Sequence, residues 1–163
     1  MNKIFSLDEL KPIIEKHKQD GKRIVLANGC FDLIHVGHIR YLKESKKRGD
    51  ILVVALNSDT SVRRLKGKGR PILLEKERGE IIASFFFVDY VTFFDEDTVE
   101  KVLLALKSHV HAKGSDYTVE TVPERETVKK FGGETAITGG PKIKSTTDVI
   151  QEIAAKFKDD RES

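Results

Sequence analysis

Between positions 29 and 38 the chain reads Gly-Cys-Phe-Asp-Leu-Ile-His-Val-Gly-His. His35 and His38 stand three apart, which puts both on one side of a helix's first turn. Gly37 between them removes a side chain from the path of an approaching phosphate. Upstream, Gly29 allows a tight turn and close backbone approach to a ligand. The free amides at a helix start, with the positive end of its dipole, attract an anion. Imidazole N–H groups added to those amides suit a phosphate chain, because they stabilise a trigonal-bipyramidal phosphorus and a departing pyrophosphate. Zinc is a competing use for two histidines at this spacing, but no third ligand stands nearby in the sequence. A bare His-x-Gly-His is also compatible with an ordinary surface helix start. The Gly-x-Phe-Asp turn and the apolar segment 24–28 in front of it favour the phosphate site.

A second anion site is expected near the other end of the chain. Ser145 is a good N-cap, and with Thr146 and Thr147 it offers hydroxyls and amides to phosphate oxygens at the start of a last helix. Lys66, Lys68 and Arg70 sit in a glycine-interrupted basic loop, which reads either as a lid over phosphates or as a solvated loop. Lys66 is the candidate triphosphate contact there, and Arg78 on the following helix is placed to reach the same site. Asp116, shortly after Gly114, either closes a turn or binds a ligand. Asp32 and Asp59 also have bland readings, as a turn residue and an N-cap. His109 and His111 alternate along a strand and share one face, where packing is their expected role. Phe85, Phe86 and Phe87 are expected to fill the core between a helix and a sheet.

The elements that position these residues alternate. Helical patterns cover 6–19, 38–48, 59–65, 75–86, 97–106, 123–131 and 145–157. Strand patterns cover 24–28, 51–56, 90–93, 110–113 and 134–138. Ser6 and Glu9 have capping-box spacing at the first helix. Segment 51–56 is apolar throughout, as central parallel strands are. This alternation predicts an α/β fold: a Rossmann-like, doubly wound, five-stranded parallel sheet with helices on both faces. Such a sheet binds ligands at the carboxyl ends of its strands, where the strand order reverses. In the common order that crevice lies between strands one and four, so the loops after Asn28 and Lys113 are the ones to inspect.

Length and composition fit this picture. At 163 residues the chain is expected to be one domain, with a core over about 24–157 and a polar tail at 158–163. Charged residues make up 34% and hydrophobic residues 39%, as in globular rather than disordered chains. The longest apolar run is too short to span a bilayer, so no membrane insertion is expected. Asp8 and Glu9 stand where a signal peptide needs apolar residues, which points to the cytoplasm. A single cysteine, Cys30, excludes an internal disulfide framework. The net charge of +3 is spread in mixed sign, which argues against a nucleic-acid partner.

Gly29-Cys30-Phe31-Asp32 followed by His35-Val36-Gly37-His38 resembles the signature of the small cytidylyltransferase-like nucleotidyltransferases that share the His-x-Gly-His motif. The match covers about 24–153. It includes Asn57-Ser58-Asp59, Arg64-Leu65-Lys66-Gly67, Lys113-Gly114-Ser115-Asp116-Tyr117, Gly132-Gly133-Glu134 and Ser145-Thr146-Thr147. Within the family the ensemble is most similar to the domain that adenylylates a heptose 1-phosphate. The resemblance implies transfer of AMP from ATP to a sugar 1-phosphate, with release of pyrophosphate and no covalent intermediate, so Cys30 need not act as a nucleophile. It implies catalytic roles for His35, His38 and Lys66. It implies nucleotide contacts from Gly29, Cys30, Phe31, Gly37, Arg78, Gly114, Asp116, Ser145, Thr146 and Thr147, and an acceptor side formed by Asp32 and Asp59. Magnesium would be held mainly by the phosphates, with no protein metal ligands, and a homodimer is implied. Base edges are expected to be read by backbone groups, so these residues do not fix the base. The alternatives are a cytidylyltransferase using CTP and glycerol 3-phosphate or a similar phosphoalcohol, and a non-catalytic nucleotide-binding module. One departure is the segment 139–144, where Lys142 or Lys144 replaces an Arg that some relatives carry. A lysine supplies a point charge rather than a bidentate fork.

Overall fold

A computed structural model describes residues 2–158. Five parallel strands form one sheet: β1 (Ile24–Gly29), β2 (Ile51–Asn57), β3 (Tyr90–Phe94), β4 (Val110–Lys113) and β5 (Glu134–Ile137). Their order is β3-β2-β1-β4-β5, the doubly wound Rossmann-like arrangement read from the sequence. The helices are α1 (Leu7–Gln19), α2 (Val36–Lys46), α3 (Asp59–Lys66), α4 (Glu75–Ala83), α5 (Glu100–Leu106), α6 (Arg125–Lys130) and α7 (Thr146–Lys158). A short 3-10 turn at Val119–Thr121 precedes α6 and has no counterpart in the sequence reading. Among the described residues no helix is long and apolar enough to cross a membrane.

The sheet is covered on both faces, which is why β1 and β2 are apolar at successive positions. Val25 and Ala27 of β1 point into one cluster with Leu42 and Ile82. Ile24 and Leu26 point into the other with Leu10, Ile14 and Leu103. Full burial of each large aliphatic side chain contributes about 1.5–3 kcal/mol relative to exposure. β1 is central, paired with β2 from Ile24 to Gly29 and with β4 over Val25 to Ala27. The loop that follows β1 therefore leaves from the most constrained strand of the fold.

The expected element boundaries shift in informative places. The Ser6–Glu9 capping box forms as expected at α1. α2 starts at Val36, two residues early, because His35 itself is the cap. α4 stops at Ala83 rather than 86, and the turn after it divides the three phenylalanines. Phe87 is buried and Phe85 packs against the same cluster. Phe86, expected in the core, is 87% exposed, because the turn directs the middle side chain outward. α5 and α6 begin two or three residues later than their patterns suggest. Lys158 ends α7, and the remainder of the polar tail lies outside the described residues.

Candidate active site

The strand order reverses between β1 and β4, and a crevice of about 540 Å³ opens there. That size is ordinary for a small-ligand site, and the place is where doubly wound sheets bind ligands. The N-termini of α2 and α7 both border it, the first with His35, Gly37 and His38 and the second with Ser145, Thr146 and Thr147.

The two imidazoles are held by the helix start they cap. The Gly37 amide donates to His35 Nδ1 at 3.1 Å, and the His35 amide donates to His38 Nδ1 at 3.3 Å. With both Nδ1 atoms accepting, each neutral ring carries its proton on Nε2. The ring centroids are 3.9 Å apart. Phe31 lies behind His38 at 5.3 Å, buried, with a left-handed φ of 50° that is unusual for a bulky residue. A Cβ at Gly37 would come within 2.9 Å of His35 Cε1. Gly37 thus protects the capping imidazole, a nearer reason for glycine than clearance for a phosphate.

Burial first, and the neighbouring His35 second, push the His38 imidazole down to about 4. Burial also lowers His35, against the pull of Asp148. At neutral pH the pair therefore presents two uncharged N–H donors. His111 is lowered to about 3, by burial and then by Lys113, and burial lowers His109 as well. All four sit below the ordinary histidine value of about 6.5, so the unfolded chain binds more protons in mild acid. Their stabilisation is full above about pH 6.5 and declines as pH falls toward the folded values. A thermal unfolding midpoint clearly lower at pH 5 than at pH 7 is the expected result. Equal midpoints would mean that these imidazoles do not resist protonation.

Most of the residues singled out from the sequence reach the crevice. Gly29, Cys30 and Phe31 line it after β1, Lys66 after β2, and Gly114 and Asp116 after β4. Burial raises the Cys30 thiol, despite the nearby charges of Lys66, Arg78 and Arg70, so it is not an activated nucleophile. Ser145 accepts the Asp148 amide at 3.1 Å while Asp148 accepts the Ser145 amide at 2.8 Å, a reciprocal cap that fixes the start of α7. Thr146 donates to the Leu33 carbonyl at 3.3 Å, tying α7 to the loop before α2. Lys142 reaches Asp116 at 3.2 Å, both lining the crevice, and Lys144 reaches Glu152 at 2.6 Å; both pairs are exposed.

Three expected ligand contacts do not line the crevice, and each has a physical reason. Arg78 is fully buried. Its Nε donates to the Leu73 carbonyl at 3.0 Å, and Nη1 donates to the Cys30 and Asn57 carbonyls, both at 2.7 Å. Its Nη2 donates to Asp59 Oδ1 at 2.9 Å, which also occupies Asp59. Asp32 is 1% exposed and accepts from the Ile72 and Leu73 amides at 2.9 Å and from Arg70 Nε at 2.8 Å. Burial alone would raise the Asp32 carboxyl, but the Leu73 and Ile72 amides and Arg70 outweigh it and hold it low. Buried charges persist only when bonded in this way. These residues form the rear wall that anchors the Gly-Cys-Phe-Asp turn.

Other crevice residues carried no functional assignment in the sequence reading. Asn28, Arg40, Thr98, Lys113, Glu124 and Thr138 all line the crevice. Asn28 Oδ1 lies 2.8 Å from His111 Nε2, and the Tyr41 hydroxyl accepts the Asn28 amide at 3.3 Å while donating to the Ala112 carbonyl at 2.6 Å. A polar Asn and a charged Lys at the carboxyl ends of two neighbouring strands are the sequence signals for Asn28 and Lys113. Glu124 carried no such signal.

A parallel sheet of this order, with two helix N-termini and an imidazole pair at its switch point, has the architecture of a nucleotidyltransferase-type Rossmann fold. The chain belongs to the cytidylyltransferase-like family, whose model matches residues 26–158. It is 47% identical over 156 residues to the bifunctional protein HldE of Pelobacter propionicus, and 48% identical over 155 residues to that of Geobacter metallireducens. These matches cover 96% and 95% of this chain but 32% of each relative, so the chain spans about one third of their length. Among solved structures it is similar to a lipopolysaccharide core biosynthesis protein from Thermoplasma volcanium, with TM-score 0.64 and 31% identity over 75% of this chain and 100% of that one. It shares its fold, with TM-score 0.64 and 16% identity over 94% of this chain and 77% of the other, with a pantoate-beta-alanine ligase from Francisella tularensis.

Proposed function

We propose that this chain transfers AMP from ATP to a heptose 1-phosphate, giving an ADP-heptose and pyrophosphate. The observation that carries this reading is the pair of uncharged Nε2–H imidazoles that shares the switch-point crevice with the capped N-terminus of α7. The sugar acceptor rests on the resemblance to heptose-phosphate adenylyltransferase domains, supported by the close relatives named HldE.

In this reading a phosphate oxygen of the acceptor attacks the α-phosphorus in line. The bond to the bridging oxygen breaks and pyrophosphate leaves with the electron pair. The acceptor phosphate is already anionic, so no general base is needed, and the protein supplies position and charge. His38 and His35 donate to phosphate oxygens as charge builds there. Lys66, which has no carboxylate partner within 4.0 Å among the described residues, adds a cation, and the positive dipole ends of α2 and α7 complete the cradle. Among the described residues no three His, Cys, Asp or Glu side chains converge as a metal site. The donor set therefore fits a magnesium ion carried in by the triphosphate and water rather than a protein-held cage. A cytoplasmic homodimer is part of this reading, and its mass in solution is open to light scattering.

Pyrophosphate release tests the assignment. ATP, CTP, GTP and UTP are each combined with heptose 1-phosphate and with glycerol 3-phosphate, with magnesium present. Release is expected with ATP and heptose 1-phosphate. Release only with CTP and glycerol 3-phosphate would keep the chemistry and replace the substrates. Nucleotide binding with no release from any pair would instead favour a binding module.

A further inference from the structure

Glu124 lines the crevice and is 5% exposed, yet its Oε2 has no hydrogen-bond partner among the described residues. It stands at the N-cap of α6, but its side chain makes no capping bond there. Lys113, in the same wall, ends β4. No carboxylate lies within 4.0 Å of its amine among the described residues, and its side chain lies over the Tyr117 ring, 4.6 Å from the centroid. Burial lowers the Lys113 amine, with Glu124 and then Cys30 opposing the shift, so the two groups feel each other without pairing. A buried carboxylate oxygen without a donor is costly, and in the wall of a crevice a donor brought by a ligand would relieve that cost.

The two sides of the crevice differ in a way that says what arrives. Lys66 borders the side next to β2 and suits phosphates, while Arg70 beside it is already paired with Asp32. Glu124 and Asp116 border the side next to β4, with the Tyr117 ring. Asp116 is paired with Lys142, so the distinctive group on that side is the unbonded Glu124 oxygen; beside an aromatic ring it suits an amino-bearing base rather than a phosphate. A triphosphate held between α2 and α7 then directs its base toward Glu124. Adenine places an amino donor beside a ring-nitrogen acceptor, whereas a 6-oxo purine places a carbonyl oxygen there.

We infer that Glu124 reads the exocyclic amino group of the nucleotide base, with Lys113 donating to the adjacent ring nitrogen, and so selects adenine against its 6-oxo counterpart. This rests on the nucleotidyl-transfer reading above and replaces the expectation that backbone groups alone read the base.

Calorimetric titration of the full chain with three triphosphates tests it without any acceptor. The ligands are ATP, inosine triphosphate, which carries an oxygen in place of the amino group, and purine riboside triphosphate, which carries neither. The wild type is expected to bind ATP roughly 10- to 100-fold more tightly than inosine triphosphate. The purine riboside compound should fall between them, because it loses the bond without setting an oxygen against the carboxylate. In Glu124→Gln the side-chain amide can present either its oxygen or its NH₂, so the ATP preference should shrink to less than about threefold. Equal affinity of the wild type for ATP and inosine triphosphate overturns the inference independently of any variant. So does an unchanged preference in Glu124→Gln, which would leave Glu124 a residue of the fold. Failure of all three compounds to bind would overturn the nucleotide reading and this inference with it. ATP binding without discrimination removes only the role of Glu124.

Discussion

Replacing His38 with alanine is expected to lower turnover by roughly 100- to 1,000-fold, the usual loss when one preorganised transition-state donor is removed. ATP affinity should change by less than about tenfold. The asymmetry follows from the site. In the proposed binding mode the ground-state triphosphate would be shared among two helix starts, Lys66 and His35, and would lose only one partner. The transition state concentrates new charge on oxygens beside the reacting phosphorus, where His38 Nε2–H is the proposed donor. The variant also loses the acceptor for the His35 amide and the ring packed on Phe31, so its thermal midpoint is the control. A large loss of turnover with a small shift in midpoint locates the effect in catalysis. Unchanged turnover would refute the proposed chemistry. The wild-type rate should not decline from pH 8 to pH 6 through this residue, because His38 is held at about 4 and is neutral across that range.

The layered fold was legible because its signals are local and repeated. Continuous apolar runs at β1 and β2 can satisfy only a sheet buried on both faces. The Ser6–Glu9 and Ser145–Asp148 caps join residues three apart in sequence. The imidazole pair was legible for the same reason, since a three-residue spacing places two side chains together whatever else the chain does. What escaped the sequence depends on distant partners. Asp32 reads as a turn residue or a ligand until Ile72 and Leu73 are seen to donate to it from 40 and 41 positions away. Arg78 reads as a phosphate contact because it stands on the helix that follows the basic loop, and only the four acceptors around it explain its burial. Phe86 was misplaced because an apolar triplet says nothing about where a helix stops. Glu124 was missed because its meaning lies in the absence of a partner, which no sequence pattern records.

The largest effect on stability is expected at Arg78. Its guanidinium bonds the Leu73, Cys30 and Asn57 carbonyls and the Asp59 carboxylate from a fully buried position. Arg78→Met keeps much of the apolar stem but leaves three carbonyls and one carboxylate without their donor. Removing one partner from a buried charged network costs about 3–5 kcal/mol. For a chain of this size that corresponds to a fall of about 10 °C in the thermal midpoint. Arg78→Lys should recover only part of it, because an ammonium cannot reproduce a planar fork. The Cys30 carbonyl belongs to the turn that leads into the imidazole pair, so turnover should fall together with stability. The two losses need not have one origin, and Asp59→Asn separates them. It keeps an acceptor for Arg78 Nη2 and removes only the charge, so it should cost less stability than Arg78→Met and leave the Cys30 contact in place. If Arg78→Met instead melted like the wild type and lost only nucleotide affinity, Arg78 would be the phosphate ligand that the sequence suggested, and the rear wall would have to be held by the Asp32 contacts alone.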